Sequence, residues 1–215
     1  MRQSFVSLFR LSVGLLAVLT FAAESPLNTL LKKVEDRYNR AKTLQVIFTE
    51  QYTPPRSATR TEGGVLMLRK PGRMRWDYTN PKGKLWVSDG KNHWLYTPSD
   101  NLVEKMKLQE SDDMRAPLAF LLGKLHFDKE FRNIHAKPDG SDTRITAEPK
   151  SDNLPYSEVE FVVTPDYRIR EVKVTGFDRS VLAFTFDQEK LDPPLDAKLF
   201  QFQMPQGARL EESGQ

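Results

Sequence analysis

The 215-residue sequence contains no cysteine, and this absence excludes several kinds of chemistry. Disulfide frameworks, metal sites built on thiolates and thiol nucleophiles all require that residue. We therefore also expect no lipid anchor on an N-terminal cysteine. Export from the cytoplasm stays possible, because a chain of this length buries a sizeable core without covalent cross-links.

The sequence also lacks a strong excess of either charge. It has 32 Lys and Arg against 29 Asp and Glu, a net charge of +3. Arg2 and Arg10 fall in a segment that we expect to be removed, which leaves 30 basic against 29 acidic residues. Nucleic-acid binders usually carry a far larger positive charge, so we expect no such partner. We interpret the basic cluster in residues 69–75 as a solvated sheet face or a docking surface for an acidic partner.

The apolar run at the N-terminus is too short to cross a bilayer. Residues 1–10 carry two arginines and no acid, and residues 11–23 are uncharged and mostly apolar. Thirteen residues rise only about 20 Å as a helix, against a bilayer core of ~30 Å. This pattern is typical of a secretory signal peptide. We predict a signal peptide over residues 1–22, cleaved after Ala22, and a single domain over residues 23–215. The alternative is an uncleaved membrane anchor.

The rest of the chain has the pattern of a mainly β domain with a few helices, an α+β fold. Ser25 and Pro26 are typical of a helix start, and apolar residues at helical spacing predict an amphipathic helix that ends near Thr43. From Leu44 the period changes to two, and a second short helix is predicted over 114–122. Short strands between turn residues predict an antiparallel sheet of about eleven strands. After the strand at Leu44, the predicted strands are 65–69, 73–78, 84–88, 93–96, 102–108, 144–147, 156–164, 169–175, 181–187 and 200–203.

A sheet of this size has an apolar face wider than two short helices can cover. Alternation in strand 73–78 puts Met74, Trp76 and Tyr78 on one face and charged residues on the other. For a single residue, the ordinary interpretation is a sheet face packed on the first helix. Large twisted sheets curl or close, however, and a curled sheet under thin helical cover leaves a cavity suited to an apolar ligand.

Patterns typical of enzymes are missing from the sequence. The three histidines, His93, His126 and His135, have no metal-ligand spacing to one another or to a carboxylate pair. Neither a Gly-x-Ser-x-Gly elbow nor a phosphate-binding glycine pattern occurs. Asp112 and Asp113 precede the predicted second helix, where acids are favoured by the helix dipole. We therefore expect no enzyme activity, no metal and no cofactor, and a hydrolase assembled from distant residues is kept as an alternative.

An ordered set of motifs runs from about residue 44 to residue 207. The segments are Gly64–Tyr78, Pro81, Val87–Pro98, Phe48–Gln51, Pro117–Gly123 and Phe200–Gly207. Together they resemble the LolA family, the periplasmic carriers of outer-membrane lipoproteins.

This resemblance implies an unclosed antiparallel β-barrel with helices as a lid over a hydrophobic cavity. It also implies a monomer in the periplasm whose ligands are the acyl chains of lipoproteins. These would come from an inner-membrane lipoprotein-releasing ABC transporter and pass to an outer-membrane lipoprotein receptor. The candidate cavity residues are Phe48, Leu66, Leu68, Met74, Trp76, Leu85, Val87, Trp94, Phe120 and Leu121.

The sequence departs from the family pattern at the predicted lid latch. The family usually has Arg before the proline that corresponds to Pro71, and this Arg is thought to hydrogen-bond to the lid. Lys70 occupies the position here, with Arg69 before it. Lys keeps the charge but lacks the planar fork of a guanidinium, so Lys70 and Arg69 are both candidates for the latch or for partner docking.

Two other functions of the same fold stay open from the sequence. One is a periplasmic carrier of free lipid or glycolipid. The other is a regulatory module that senses mislocalised lipoproteins, which would normally need a second domain.

Overall fold

A computed structural model describes residues 25–107 and 125–212. The predicted signal peptide and the predicted helix 114–122 lie outside these described residues.

Helix α1 spans Pro26–Arg40 and starts as the sequence predicts. The Ser25 hydroxyl accepts a hydrogen bond from the backbone N–H of Asn28 at 3.2 Å, and proline suits the first turn because no backbone N–H is needed there. The helix ends before the expected Thr43, because Ala41 is already extended, with φ −64° and ψ 136°. Strand β1 begins immediately afterwards.

In the described part of the chain, twelve strands form one open sheet, which confirms the predicted mainly β fold. The strand order is β12-β6-β5-β4-β3-β2-β1-β11-β10-β9-β8-β7. Neighbouring strands are antiparallel except β12 and β6, which are parallel. The edge strands β7 and β12 do not pair with each other, so the barrel is unclosed. The strands are β1 Thr43–Thr53, β2 Arg60–Arg69, β3 Arg73–Asn80, β4 Leu85–Asp89, β5 Asn92–Thr97, β6 Leu102–Lys107, β7 Phe131–Asp139, β8 Asp142–Pro149, β9 Tyr156–Val163, β10 Ile169–Gly176, β11 Val181–Leu191 and β12 Arg209–Glu212.

The two edge strands account for the difference from the predicted eleven. Most side chains of β7 and all side chains of β12 are exposed. Neither strand therefore has the apolar alternation that indicates a half-buried strand. The predicted last strand, 200–203, is wrong: Ala197–Phe200 is a 3₁₀ turn, and an irregular segment follows it.

The main core lies between α1 and one face of the sheet, here called the inner face. Every second residue of β1, β2 and β3 is buried over most of each strand, as expected for strands with one covered face. Helix α1 contributes Leu31, Val34 and Tyr38, and the four-residue helix α2, Phe127–Glu130, adds a buried phenylalanine. Among the described helices, none is both long and apolar enough to span a membrane.

A segment near the C-terminus crosses the opposite, outer face of the sheet. This C-terminal strap, residues 192–208, includes the 3₁₀ turn, which packs on β3 and β4. The Arg69 guanidinium donates to the carbonyl of Leu195 at 2.7 Å, and Arg75 donates to the carbonyl of Leu199 at 3.0 Å. The strap thereby covers part of the outer face that would otherwise be exposed.

Candidate functional site

Five predicted cavity residues lie together on the inner face. Phe48, Leu66, Leu68, Met74 and Trp76 are each at most 3% exposed. The strand register puts Leu66 opposite Trp76 and Leu68 opposite Met74. The Phe48 ring meets the Trp76 ring edge-on, with centroids 4.8 Å apart. These side chains form one continuous apolar layer.

Leu85, Val87 and Trp94, which were also predicted to line the cavity, do not belong to that layer. Trp76 is paired with Trp86, and paired residues point to the same side of a sheet. Leu85 and Val87 flank Trp86 and therefore point outward. Trp94 is paired with Val87 and stacks on an aromatic ring of the C-terminal strap. The strap covers this part of the outer face, because its 3₁₀ turn packs on β4.

Aromatic residues of the inner layer that the sequence analysis missed include Trp86, Phe184 and Phe186, which is paired with Phe48. Ring centroids of Trp86 and Phe184 lie 6.4 and 5.4 Å from that of Trp76. The register of the β3–β4 hairpin would have identified Trp86, but Phe184 is more than 100 residues away and has no local signal. Phe120 and Leu121, also predicted to line the cavity, lie outside the described residues.

Helix α1 packs closely on the inner face. Two cavities of about 10 Å³ each lie beside Tyr38, lined among others by Leu44 and Leu68 in one case and by Val46 and Leu66 in the other. Each has space for about one water molecule. A larger apolar ligand must displace the helix to reach these side chains.

Lys70 contacts the last turn of α1. Its ammonium group donates to the carbonyl oxygens of Tyr38 at 2.6 Å and Asn39 at 3.3 Å. These carbonyls belong to the C-terminal turn, where a positive charge is favoured by the helix dipole. Partial burial lowers the pKa of Lys70, and the nearby Asp192 carboxylate opposes that shift. Arg69 binds the strap on the other face instead, so the two latch candidates contact different elements.

A buried carboxylate holds the same end of α1. Glu189 in β11 has a side chain 4% exposed. It accepts hydrogen bonds from the Arg37 guanidinium at 2.6 and 3.2 Å and from the Tyr38 hydroxyl at 2.7 Å. The same hydroxyl accepts from the backbone N–H of Ile169 at 2.8 Å. Burial raises the pKa of Tyr38, and the adjacent Glu189 charge raises it further, so the hydroxyl keeps its proton.

Side chains of α1 also bind the backbone that leads into α2. The Asn39 amide donates to the Leu125 carbonyl at 2.8 Å and accepts from the Leu125 N–H at 2.6 Å. One helical turn earlier, the Glu35 carboxylate accepts from the Phe127 N–H at 2.7 Å. All of these polar contacts involve the second half of α1. The described contacts of its first half with the core are apolar, through Leu27, Leu30 and Leu31.

One group of residues has a composition that could hold a metal ion. Ligand atoms of Glu35, His126 and Asp128 lie within 4.8 Å of one another, a proximity that sequence spacing did not reveal. Glu35 already accepts a backbone hydrogen bond there, and Asp128 is exposed. The other two histidines are elsewhere: His93 is buried against Trp86, and His135 is exposed on β7.

The inner layer ends in a polar pair at the far end of β1. The Tyr78 hydroxyl donates to the Glu50 carboxylate at 2.9 Å, and both residues are buried. The Lys84 ammonium lies 4.5 Å from the centre of the Tyr78 ring and forms an ion pair with Glu62. The layer therefore has polar groups at both ends, Lys70 and Glu189 near α1 and Glu50 at the other end.

Comparisons with known proteins identify the family. Residues 39–203 match the sequence model described as Outer membrane lipoprotein carrier protein LolA. The chain is 26% identical to the outer-membrane lipoprotein carrier protein of Photorhabdus laumondii over 185 residues, which cover 86% of this chain and 88% of the relative. It is 27% identical to the protein of that name from Pseudomonas paraeruginosa over 202 residues, which cover 92% and 94%.

A solved structure supports the fold. The crystal structure of an uncharacterized conserved protein from Thermus thermophilus matches with a TM-score of 0.51 and 13% identity, over 87% of this chain and 99% of that one. At this identity the match concerns the fold alone. The match to the family model, by contrast, spans well over half of the 215 residues, and this chain therefore belongs to the LolA family of outer membrane lipoprotein carrier proteins.

Proposed function

We propose that this protein carries lipoproteins through the periplasm by shielding their acyl chains between the inner face of the sheet and α1. The observation that carries the proposal is the continuous apolar layer around Trp76, covered by a helix whose first half is held by apolar contacts. An acyl chain can replace these apolar contacts between the helix and the inner face with apolar contacts of its own. The relatives' name, outer-membrane lipoprotein carrier protein, supports lipoproteins as the cargo.

The thermodynamics of the cargo indicate what the carrier must do. Exposing one ~15-carbon chain to water costs roughly 12 kcal/mol at ~0.8 kcal/mol per CH₂. The carrier therefore needs to shield the chains and does not need to grip them. Extraction from the membrane needs an energy source, and we infer that an inner-membrane ABC transporter supplies it. Delivery to an outer-membrane receptor completes the route, and the carrier acts as a monomer.

The contacts of α1 suggest how the lid opens. Lys70 and Glu189 hold its last two turns, whereas Leu27 and Leu30 near its start pack on the core through apolar contacts. Cargo chains would displace the first half, while the second half stays attached and acts as the pivot. The helix would then return to the inner face when the chains leave.

Photo-crosslinking tests the proposed site, and circular dichroism of each variant checks that the larger side chain leaves the fold intact. Phe48→benzoylphenylalanine points into the inner layer, whereas Ile47→benzoylphenylalanine, one residue earlier, lies on the outer face at a position 40% exposed. Each variant is added to spheroplasts that contain radiolabelled lipoprotein and is then irradiated. We expect released lipoprotein to crosslink to position 48 and not to position 47. Equal crosslinking from both positions, or release without crosslinking at 48, would show that the inner face is not the site.

The same assay separates lipoprotein cargo from free lipid or glycolipid. A carrier of free lipid would release no labelled lipoprotein, and position 48 would crosslink to membrane lipid instead. Mass spectrometry of the crosslinked peptide distinguishes the two products.

A further inference from the structure

A basic cleft lies where α1 ends and β1 begins. It has a volume of about 580 Å³ and is lined by Lys42, Arg69, Lys70, Asp192 and residues 193–195 of the strap, among others. Three cations and one carboxylate line the cleft, so the concavity carries a net positive charge. A recess with charge of one sign concentrates counter-ions.

The single carboxylate of the cleft is directed at the backbone. Asp192 accepts hydrogen bonds from the N–H groups of Lys42 at 2.6 Å and Thr43 at 3.3 Å. These N–H groups hold the pKa of Asp192 below its ordinary value. The carboxylate thus fixes the start of β1, and the ammonium and guanidinium groups make the cleft basic.

Lys70 belongs both to the cleft and to the contact with α1. Its ammonium donates to the neutral carbonyls of Tyr38 and Asn39. A carboxylate attracts the ammonium more strongly than a carbonyl does, because it carries a full negative charge and a carbonyl oxygen only a partial one. The flexible lysine side chain, a point charge, can turn to an anion that enters the cleft. Binding there competes directly with the contact that holds the end of the helix.

The geometry points to a docking site for an acidic peptide segment whose binding draws Lys70 away from α1. A peptide fits better than a membrane surface, because Arg69 and Lys70 are half-buried and residues 193–195 form one wall. A flat bilayer does not reach charges in a recess, whereas a peptide can insert a carboxylate. The inference rests on the proposed carrier function in one respect only, namely which protein would supply the acidic segment.

Tetraglutamate is a suitable probe, with tetraglutamine as its uncharged control. Binding is measured by isothermal titration calorimetry on the cargo-free protein at low ionic strength, where charges are least screened. Hydrogen exchange of the last turn of α1 is measured with and without peptide. We expect tetraglutamate to bind, tetraglutamine not to bind, and the exchange rate of this turn to rise about two- to fivefold, the effect of losing one charge at a helix C-terminus.

Charge-removing variants locate the binding site. Lys42→Gln should weaken tetraglutamate binding about two- to fivefold, as expected for one exposed ion pair. Lys70→Gln should raise the exchange of the last helical turn without peptide and abolish any further rise with it. Lys91→Gln is the matched control, because Lys91 is an exposed cation in the β4–β5 turn, outside the lining of the cleft. Its variant should behave like the unaltered protein.

Three results would overturn the inference. Equal weakening by Lys42→Gln and Lys91→Gln would mean that the peptide senses only net charge. Binding that leaves the exchange of α1 unchanged would separate the cleft from the helix. Binding of phosphatidylglycerol vesicles together with failure of tetraglutamate to bind would assign the cleft to a membrane. Because no lipoprotein is used, each result is independent of whether the crosslinking experiment supports the carrier function.

Discussion

Removing the Tyr38 hydroxyl tests how strongly α1 is attached to the sheet, because the substitution takes away a single oxygen atom. In Tyr38→Phe the ring still fills its place, but two hydrogen bonds disappear. One runs to the charged Glu189 carboxylate at 2.7 Å, and the other comes from the backbone N–H of Ile169 at 2.8 Å. A hydrogen bond to a charged group contributes about 1.5–3 kcal/mol, and leaving a buried donor unsatisfied costs about 1–3 kcal/mol.

Since the two contacts share one oxygen, we expect a combined loss of about 3 kcal/mol in the free energy of unfolding. For a domain of this size, that loss lowers Tm by about 6 to 12 °C. The assay is thermal unfolding followed by circular dichroism at pH 7, together with hydrogen exchange of residues 26–40. The exchange of α1 should rise more than that of the central strands, because the lost contacts join the helix to the sheet.

Tyr96→Phe is the matched control. The Tyr96 hydroxyl donates to the Asn101 side chain at 3.1 Å, but at an exposed position, and its loss should change stability by less than about 0.5 kcal/mol. Similar Tm values for Tyr38→Phe and the unaltered protein would refute the argument that this hydroxyl attaches α1. An equal fall in both variants would mean that the effect is not specific to the helix.

Three further predictions follow from the site. Lys70→Arg should retain lipoprotein release in the spheroplast assay, because a guanidinium can also donate to the helix carbonyls. Lys70→Gln should instead raise the hydrogen exchange of the last turn of α1. Equal exchange in the two variants would show that the charge at this position is irrelevant. The pKa of Asp192 is held below its ordinary value by N–H groups of β1 and the residue before it, so its contribution to stability is fully present above the ordinary value near 3.9 and is lost as the pH falls through the lower folded value. Urea unfolding should therefore find Asp192→Asn less stable at pH 6, with the difference from the unaltered protein shrinking as the pH falls below the ordinary value; a constant difference would contradict this. Trp86→Ala should cost about 3–5 kcal/mol of unfolding free energy, and chemical denaturation should find a smaller loss for Leu85→Ala, which is only half-buried on the other face; the reverse order would contradict the assignment of faces.

Local patterns predicted the elements of the fold well. Helix α1 was predictable because its start signal and apolar spacing both occur within 15 residues. The central strands were predictable because alternating apolar and polar residues indicate which side chains are buried. The edge strands β7 and β12 lack this alternation, since solvent reaches both of their faces along most of their length.

The face that a strand residue occupies was harder to predict than the strand itself. A shift of one residue moves every side chain to the other face, so the exact turn between β3 and β4 decides that Trp86 and not Val87 joins Trp76. Val87 has the pattern of a core residue, and it is buried. It is covered, however, by the C-terminal strap, which lies more than 100 residues further along the chain. Alternation of apolar and polar residues indicates that a side chain is buried, but it does not indicate which segment of the chain covers it.

The attachment of α1 was almost invisible in the sequence for a related reason. Arg37 and Glu189 are 152 residues apart, and each looks like an ordinary surface charge in its own segment. Only Lys70 could be suggested beforehand, through the family resemblance, and it does contact the helix. Contacts of this kind depend on the sheet order, which brings β11 beside β1.

The distribution of polar contacts along α1 is consistent with the lid movement proposed above. Removing only one partner of a buried ion pair costs about 3–5 kcal/mol, so a lid attached by such pairs along its whole length would open rarely. Here the buried carboxylate of Glu189 serves only the second half of the helix. The first half is held by leucines, whose apolar contacts an acyl chain replaces at nearly no net cost. In the proposed mechanism, displacement of the first half by cargo therefore leaves the polar contacts in place, and these contacts would guide the helix back when the cargo departs.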